Sequence, residues 1–213
     1  MNGRPTSRNL TAHLARLRRA NVRLARTVRR LTREISEIRH FATHDNLTGL
    51  PNRALLSDRL AQALAHATRY DEKVMLLVVD LDGFKLVNDV HGHSAGDEVL
   101  RQVAARLLSC VRTCDTVCRY GGDEFVVMLP QIHAPDDAEV VSEKISARLA
   151  TPYALGNVHI LVTASIGAAL CRGDGQTSDE LIKRADAAMY VEKVGRKRCP
   201  PYPPTASFEA RPA

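Results

Sequence analysis

Three acidic residues stand where buried strands are predicted to end. Asp80 closes the apolar run of residues 74–79, and Asp123 and Glu124 follow two glycines between two short apolar segments. A continuous apolar run is typical of a buried strand, and a glycine-bearing turn between strands is typical of a hairpin. If these strands are neighbours, their carboxylates meet at one edge of a sheet. Such hard oxygen ligands suit Mg²⁺ shared with substrate phosphates, although an aspartate beside turn glycines is also ordinary turn chemistry.

The elements that must position these residues are predicted to form one α/β domain, residues 41–198. Predicted helices span residues 52–67, 84–90, 94–111, 136–149 and 178–194, and predicted strands span residues 74–81, 116–120, 125–129 and 158–170. Ser94 is expected to be the N-cap of its helix. Residues 199–213 hold five of the ten prolines and are predicted to be a disordered tail.

The segment before this domain has the repeat of a coiled coil. Apolar residues recur at alternating intervals of four and three from Leu10 to Ile38, with Asn21 at one a position. Leucine at d with β-branched residues at a favours a parallel dimer, and one buried Asn fixes its register. We therefore expect residues 1–40 to form a parallel dimeric coiled coil. The alternative, a helix packed on its own domain, is less favoured because such helices usually have a wider apolar face.

The formal net charge of +6 is unevenly divided along the chain. Residues 1–40 hold 11 arginines and two glutamates and carry +9, residues 195–213 carry +3, and residues 41–194 therefore carry −6. An arginine-rich zipper could bind nucleic acid, but its arginines overlap the heptads instead of preceding them, so this partner is disfavoured. The arginines could equally be solvated, or could contact anionic lipid or an acidic partner.

Composition also bears on the compartment. The longest apolar run is far shorter than the roughly 20 residues that cross a bilayer, and the N-terminus lacks the apolar core of a secretory signal. The five cysteines include no CxxC pair, which favours reduced thiols. Cys110, Cys114 and Cys118 recur every four residues without a fourth ligand, so we expect buried or partly buried thiols, not a metal cluster. The sequence predicts a cytoplasmic protein with no transmembrane segment.

Three ordered blocks resemble one protein family. The run Arg119-Tyr120-Gly121-Gly122-Asp123-Glu124-Phe125 carries the signature of the GGDEF family, the diguanylate cyclases. Residues 45–53 resemble the family's opening segment, and residues 80–97 resemble its nucleotide-binding segment. The resemblance covers about residues 41–198. It implies an α/β fold with a mostly antiparallel central sheet flanked by helices.

The resemblance also implies a reaction and its residues. Two GTP would condense into cyclic di-GMP with release of pyrophosphate, in a dimer whose two domains each hold one GTP and use Mg²⁺, or Mn²⁺ in its place. The metal would be held by Asp80, the Leu81 carbonyl, Asp123 and Glu124, and Glu124 would be either a ligand or the acceptor of the attacking hydroxyl's proton. The catalytic residues would be Asp123, Glu124 and Lys85. The GTP-binding residues would be Phe84, Lys85, Asn88, Asp97, Gly122, Lys193 and Arg196, with Asn88 and Asp97 at the guanine.

Two further features follow from the same resemblance. Arg112 and Asp115 stand where the family has its RxxD inhibitory site, which implies product inhibition; the alternative is an ordinary surface ion pair. The family pattern at the end of the last helix is one residue longer than Lys193-Val194-Gly195-Arg196. The shorter spacing leaves open whether Arg196, Lys197 or Arg198 contacts the triphosphate. A displaced arginine would weaken GTP binding. A catalytically weak or inactive module that binds GTP or cyclic di-GMP is the alternative function, against which the intact Asp80, Asp123 and Glu124 argue.

Overall fold

The computed structural model describes residues 7–132, 135–171 and 177–197 of the chain. The chain divides into two compact units, Met1–Thr43 and His44–Ala213. The first contains one long helix, and the second alternates helices and strands. The elements are α1 (Ser7–Thr43), α2 (Arg53–Tyr70), β1 (Val74–Asp82), α3 (Phe84–His91), α4 (His93–Cys110), β2 (Thr116–Gly121), β3 (Glu124–Leu129), α5 (Pro135–Leu149), β4 (Tyr153–Leu155), β5 (Val158–Ile160), β6 (Thr163–Cys171) and α6 (Ser178–Lys197).

Helix α1 exposes the apolar side chains of its heptad pattern. The exposed members of the pattern are Leu17, Leu24, Val28, Leu31, Ile35 and Ile38. Ion pairs between residues four apart, Arg30 with Glu34 and Arg33 with Glu37, lie on the same helix. A row of exposed apolar side chains on one helix is typical of a surface that associates with another chain.

None of the helices in the described part of the chain combines the length and the apolar character required to cross a membrane.

The second unit is built around a four-stranded antiparallel sheet in the order β2-β3-β1-β6. Strand β1 is central, and its residues 74–81 are buried, because an uninterrupted apolar run can be covered on both faces. The predicted antiparallel sheet flanked by helices is therefore confirmed.

Alternate residues of β1 face two separate layers of helices. Leu77, Val79 and Leu81 belong to the core cluster that α3, α4 and α5 cover, whereas Leu76 and Val78 belong to the cluster that α2 and α6 cover. Side chains two residues apart on a strand share a face, so Asp80 lies on the α2/α6 face. The two-residue period of β1 thus decides which helices surround its aspartate.

Helix α6 packs against β6 at Gly167. A Cβ atom at this position would overlap the backbone at the Ala185 carbonyl and the Met189 amide. Glycine is therefore required for this close approach of helix and strand. The Glu192 carboxylate accepts a hydrogen bond of 2.7 Å from the Ile166 amide and fixes the same pair of elements.

Two predicted features of the secondary structure are wrong. The predicted strand of residues 158–170 is divided into β5 and β6, because β5 pairs with β4 in a separate hairpin and only β6 joins β1. Ser94 is not the N-cap of α4: the helix begins at His93, and Gly92 is the N-cap, with no side-chain hydrogen bond. Gly92 has φ of +83°, so the turn from α3 to α4 is made at this single residue and Ser94 falls inside the first helical turn.

The four cysteines in the described part of the chain are not in disulfide bonds, and they lie in different environments. Cys110, Cys118 and Cys171 are buried, whereas Cys114 is exposed, contrary to the expectation of a buried or partly buried thiol. Burial raises the pKa of Cys118 to about 12, which keeps this thiol protonated.

No three His, Cys, Asp or Glu residues within the described ranges form a group that could hold a metal ion.

The segment before α2 is attached to the β2–β3 hairpin by one arginine. Arg119 Nη1 lies 3.1 and 3.2 Å from the two carboxylate oxygens of Asp45, and Arg119 Nε and Nη2 donate to the Gly122 carbonyl at 3.0 and 2.8 Å. Thr48 donates to Asp45 from both its amide and its hydroxyl. Burial alone would raise the pKa of Asp45, but these hydrogen bonds and the Arg119 charge hold it below its ordinary value of 3.8.

We expect Asp45→Asn to lower the free energy of unfolding at pH 7 by about 1–3 kcal/mol, because hydrogen bonds to a charged group are lost. A lowered pKa means that the stabilisation is present above the ordinary pKa and is lost as pH falls through the folded-state value. The difference from wild type should therefore shrink below about pH 4, as measured by urea unfolding at several pH values. Asp58→Asn, which removes an exposed carboxylate bonded to Gln62, is the control. A difference that persists at pH 2, or one no larger than the control's, would contradict this account.

Candidate active site

Asp80 and Glu124 lie opposite each other at one end of the sheet. The β1–β3 register pairs Asp80 with Glu124, and the β1–β6 register pairs Asp80 with Ser165. The Asp123 carbonyl accepts a hydrogen bond of 3.4 Å from the Leu81 amide, so the hairpin turn is joined to the end of β1. Asp80 is only 6% exposed, whereas Asp123 and Glu124 are half-buried. The structure therefore brings together the three carboxylate residues that were predicted to converge.

Lys193 reaches this cluster from α6. Its Nζ lies 2.5 Å from Asp80 Oδ1, and 113 residues of sequence separate the two. Burial of Asp80 raises its pKa, and the nearby Asp123 and Asp82 raise it further, while Lys193 opposes the rise. For Lys193, burial lowers the pKa, but Asp80, Asp123 and Asp82 outweigh this and raise it, so the ammonium stays charged.

Negative charge is concentrated around Glu124. Its pKa is raised first by burial and then by Asp80, Asp123 and Asp186, with Lys193 acting in the opposite direction. Crowded carboxylates repel one another, and a bound cation would relieve that repulsion. Mg²⁺ is usually held by one or two carboxylates and completes its coordination with water and substrate phosphates. Asp80, Asp123 and Glu124 do not form a three-residue metal group in the described structure, so a cation here would bind one or two of these carboxylates and take its remaining ligands from water and substrate phosphates.

The start of α3 lies directly after β1. Gly83, with φ of +72°, turns the chain, and no side chain caps the first amides of the helix. The first amides of a helix have no partner within it, so those near Phe84 are suited to bind phosphate. The Phe84 ring is buried in the core, whereas Lys85 is exposed. The backbone role of Phe84 and the charge role of Lys85 stay predictions.

Asn88 and Asp97 come from the crossing of α3 and α4, and both are half-buried. At the crossing, a Cβ atom on Gly96 would overlap Asn88 Oδ1 and would also crowd Asn88 Cγ and the tip of the Phe84 ring. Because Gly96 has no side chain, the Asn88 amide has room to lie against α4.

The remaining predicted residues have different surroundings. Gly122 has φ of +48°, and its carbonyl accepts hydrogen bonds from the Arg119 side chain. The Asp115 carboxylate accepts a hydrogen bond of 2.7 Å from the backbone amide of Arg112, so this pair forms a turn and leaves the Arg112 side chain exposed. Arg196 lies in the last turn of α6, its side chain lies outside the described part of the structure, and Arg198 follows the described residues.

Sequence reasoning missed several contacts that shape the site. Arg119 stood inside the recognised motif, but its contacts with Asp45 and Gly122 were not predicted. Asp82 accepts hydrogen bonds of 2.7 Å from the hydroxyls of Thr163 and Ser165, which join β1 to β6 beside Asp80. Asp82 could have been singled out as a second charged residue at the end of the predicted strand, whereas nothing in the sequence distinguished Ser165 from other serines.

The fold agrees with comparisons to known proteins. Residues 42–199 match the family described as "Diguanylate cyclase, GGDEF domain". The chain belongs to this family, as its three sequence blocks predicted.

Individual relatives cover the same region. The bifunctional diguanylate cyclase/cyclic di-GMP phosphodiesterase MucR of Pseudomonas aeruginosa is 48% identical over 170 residues, 80% of this chain and 24% of MucR. The response regulator PleD of Caulobacter vibrioides is 42% identical over 157 residues, 72% of this chain and 34% of PleD. The chain thus spans about a quarter to a third of the length of these relatives.

A solved structure matches most of the chain. The coiled coil and GGDEF domain of DgcB from Caulobacter crescentus, crystallised in complex with c-di-GMP, has a TM-score of 0.77 and 31% identity. The match covers 84% of this chain and 95% of that chain.

We expect Gly96→Ala to weaken GTP binding about tenfold, because the new methyl group must displace the Asn88 amide from its present position. Calorimetric titration of GTP into the variant would measure the change. Ser94→Ala, an exposed substitution in the same helical turn, is the control and should bind GTP as wild type does. Equal affinity in the two variants would show that the position of Asn88 does not matter for the nucleotide.

Proposed function

We propose that this chain is a diguanylate cyclase, which condenses two GTP into cyclic di-GMP and releases two pyrophosphates. The observation that carries the proposal is the β1–β3 register, which sets Asp80 opposite Glu124 with Lys193 bound to Asp80. Carboxylates beside the Lys193 ammonium at the end of the sheet suit phosphoryl transfer. Membership of the family supports the same reaction.

The reaction has two equivalent steps. In each, the 3′-hydroxyl oxygen of one nucleotide forms a bond to the α-phosphorus of the other. The bond from that phosphorus to the bridging oxygen breaks, and pyrophosphate leaves with the electron pair. The hydroxyl proton passes to a base, and Glu124 is our candidate because burial and neighbouring charges raise its pKa toward a range where a carboxylate can accept a proton.

The phosphates would be held by several groups at the sheet edge. Asp80, Asp123 and the Leu81 carbonyl would hold Mg²⁺ or Mn²⁺, with Glu124 as a further ligand where it does not serve as the base, and the metal, when bound, neutralises charge that develops on the phosphate oxygens. The Phe84 amide and the Lys85 ammonium would bind phosphate oxygens near the start of α3. Lys193 would shift between Asp80 and the triphosphate, and Arg196 would add a second contact from α6.

Guanine would be recognised where α3 and α4 cross. Asp97 would accept hydrogen bonds from the ring N–H and the exocyclic amine of guanine, a paired contact that adenine lacks. Asn88 would bind the same base from α3. Both side chains are half-buried, which shields such hydrogen bonds from water.

One domain would hold one nucleotide, so the reaction needs two domains facing each other. The exposed apolar seam of α1 supports a parallel homodimeric coiled coil over residues 1–40. Tethering raises the local concentration of the second domain to roughly the millimolar range. The cytoplasm is the compartment that we propose, and the described cysteines, which are not in disulfide bonds, agree with a reducing environment.

Product would inhibit the enzyme through Arg112 and Asp115. The Arg112 guanidinium is exposed and can pair with a guanine edge or a phosphate of cyclic di-GMP. Asp115 holds the turn through the Arg112 amide, so it would position the arginine as well as contact the product.

We expect the purified protein to convert GTP and Mg²⁺ to cyclic di-GMP, measured by chromatography of the products. Asp80→Asn should lower kcat by about 100-fold or more, because it removes a metal ligand and the partner of Lys193. Asp58→Asn, an exposed carboxylate on α2, should leave the rate unchanged. Arg112→Ala should raise the rate once product has accumulated. If neither wild type nor Arg112→Ala forms product in a folded dimer, the chain is instead a receptor for GTP or cyclic di-GMP.

We expect removal of residues 1–40 to make activity depend steeply on protein concentration. Without the tether, two domains must meet by diffusion, so the rate per domain should rise with concentration, whereas the full chain should keep a constant rate. Activity assays over a wide concentration range, with light scattering to measure mass, would test this. Full activity of the shortened protein at low concentration would show that α1 is not the dimerising element.

A further inference from the structure

Two adjoining cavities lie on the side of the β2–β3 hairpin that faces α2. The first, about 400 Å³, is lined by the segment before α2 and by the hairpin turn, including Asp45, Arg119 and Gly122. The second, about 330 Å³, lies between the sheet and α6. Arg53 and Tyr120 line both cavities, so these two side chains stand where the cavities meet.

Arg53 is held at this position by the ring of Tyr120. Its Cζ lies 4.8 Å from the ring centre, and the Arg119 amide donates to the Pro51 carbonyl at 3.0 Å, which holds the segment before α2 against β2. A contact with an aromatic ring gives the guanidinium no hydrogen-bond acceptor for its planar N–H donors, and those donors match the oxygens of a phosphate.

The arginines near the cavities differ in their partners. Arg119 is engaged by Asp45 and Gly122. Arg53 stacks on Tyr120 and, within the described ranges, has no carboxylate partner. The amides at the start of α2 are also engaged, because Asn52 Oδ1 accepts from Ala54 and Leu55. Of the two arginines, Arg53 is therefore the one whose guanidinium is available to an anion, and Lys183 is a further cation in the lining of the second cavity.

The second cavity reaches the candidate active site. Glu124 lines it, and Glu124 pairs with Asp80 across the sheet. Lys183 and Asp186 of α6 complete its charged lining. A ligand in this cavity would therefore contact Arg53 while lying beside the carboxylates of the proposed reaction.

We propose that Arg53 is a phosphate-binding residue in a subsite beside Glu124, which takes the phosphate groups of a nucleotide or the pyrophosphate that the reaction releases. The inference rests on the proposed function, because it treats Glu124 as part of the reacting centre. Its ligand class is a diphosphate or triphosphate group, and the two sources can be separated by experiment.

The test uses the full chain and titrates pyrophosphate and GTP separately by calorimetry. Arg53→Ala and Arg53→Gln, both of which remove the charge, should weaken binding about tenfold. Arg53→Lys retains the charge but loses the planar donors, and should weaken binding about threefold. The matched control is Arg69→Ala, because Arg69 stacks on Tyr70 in the same helix at 5.7 Å, away from both cavities. Circular dichroism and thermal unfolding would verify that each variant is folded.

The outcomes separate this subsite from the proposed reaction. Weakened binding of pyrophosphate alone would assign the subsite to the released product, and weakened binding of GTP alone would assign it to the nucleotide; either supports the inference. Affinities for both ligands that match those of Arg69→Ala would overturn it, whether or not the protein makes cyclic di-GMP. Absence of cyclic di-GMP synthesis by wild type, together with weakened binding in Arg53→Ala, would reject the proposed function and retain the subsite.

Discussion

The pairing register of β1 with β3 is the constraint on which the candidate site depends. It places Asp80 opposite Glu124 and joins the end of β1 to the hairpin turn through the Leu81 amide. Because side chains alternate along a strand, a shift of one residue would move Asp80 from the α2/α6 face to the opposite face. The apolar residues on both faces of β1 oppose such a shift, since each set fits its own helix layer. Core packing and site geometry are thus specified by the same register.

The same alternation divides the proposed substrate contacts between two faces of the sheet. Asp80 and Lys193 lie on the side of α2 and α6, whereas the chain after β1 turns at Gly83 into α3 and the α3–α4 crossing. The proposed phosphate contacts therefore come from both sides of one strand end, Lys193 from α6 and Phe84 and Lys85 from α3, whereas the proposed guanine contacts come from α3 and α4 alone. A nucleotide that made all of these contacts would lie across the end of β1.

The sequence was sufficient for the features that depend on local pattern. The apolar run before Asp80 predicted the central strand, and the glycine pair before Asp123 predicted the hairpin. The division between β5 and β6 could not be predicted, because residues 158–170 look like one strand and only the pairing of β5 with β4 separates them. The Lys193–Asp80 contact was equally hidden, since it depends on how α6 packs and joins residues 113 positions apart. The prediction of Ser94 as the N-cap of α4 is wrong because the turn between α3 and α4 is made at Gly92.

The backbone contact at Gly167 has a consequence for the position of Lys193. Strand β6 touches α6 at Ala185 and Met189, and Lys193 lies one turn beyond Met189. The position of the Lys193 ammonium therefore depends on a contact between main-chain atoms. A side chain at position 167 would push α6 away from the sheet and would carry the ammonium away from Asp80. A residue that has no side chain of its own thus sets where a charged group stands.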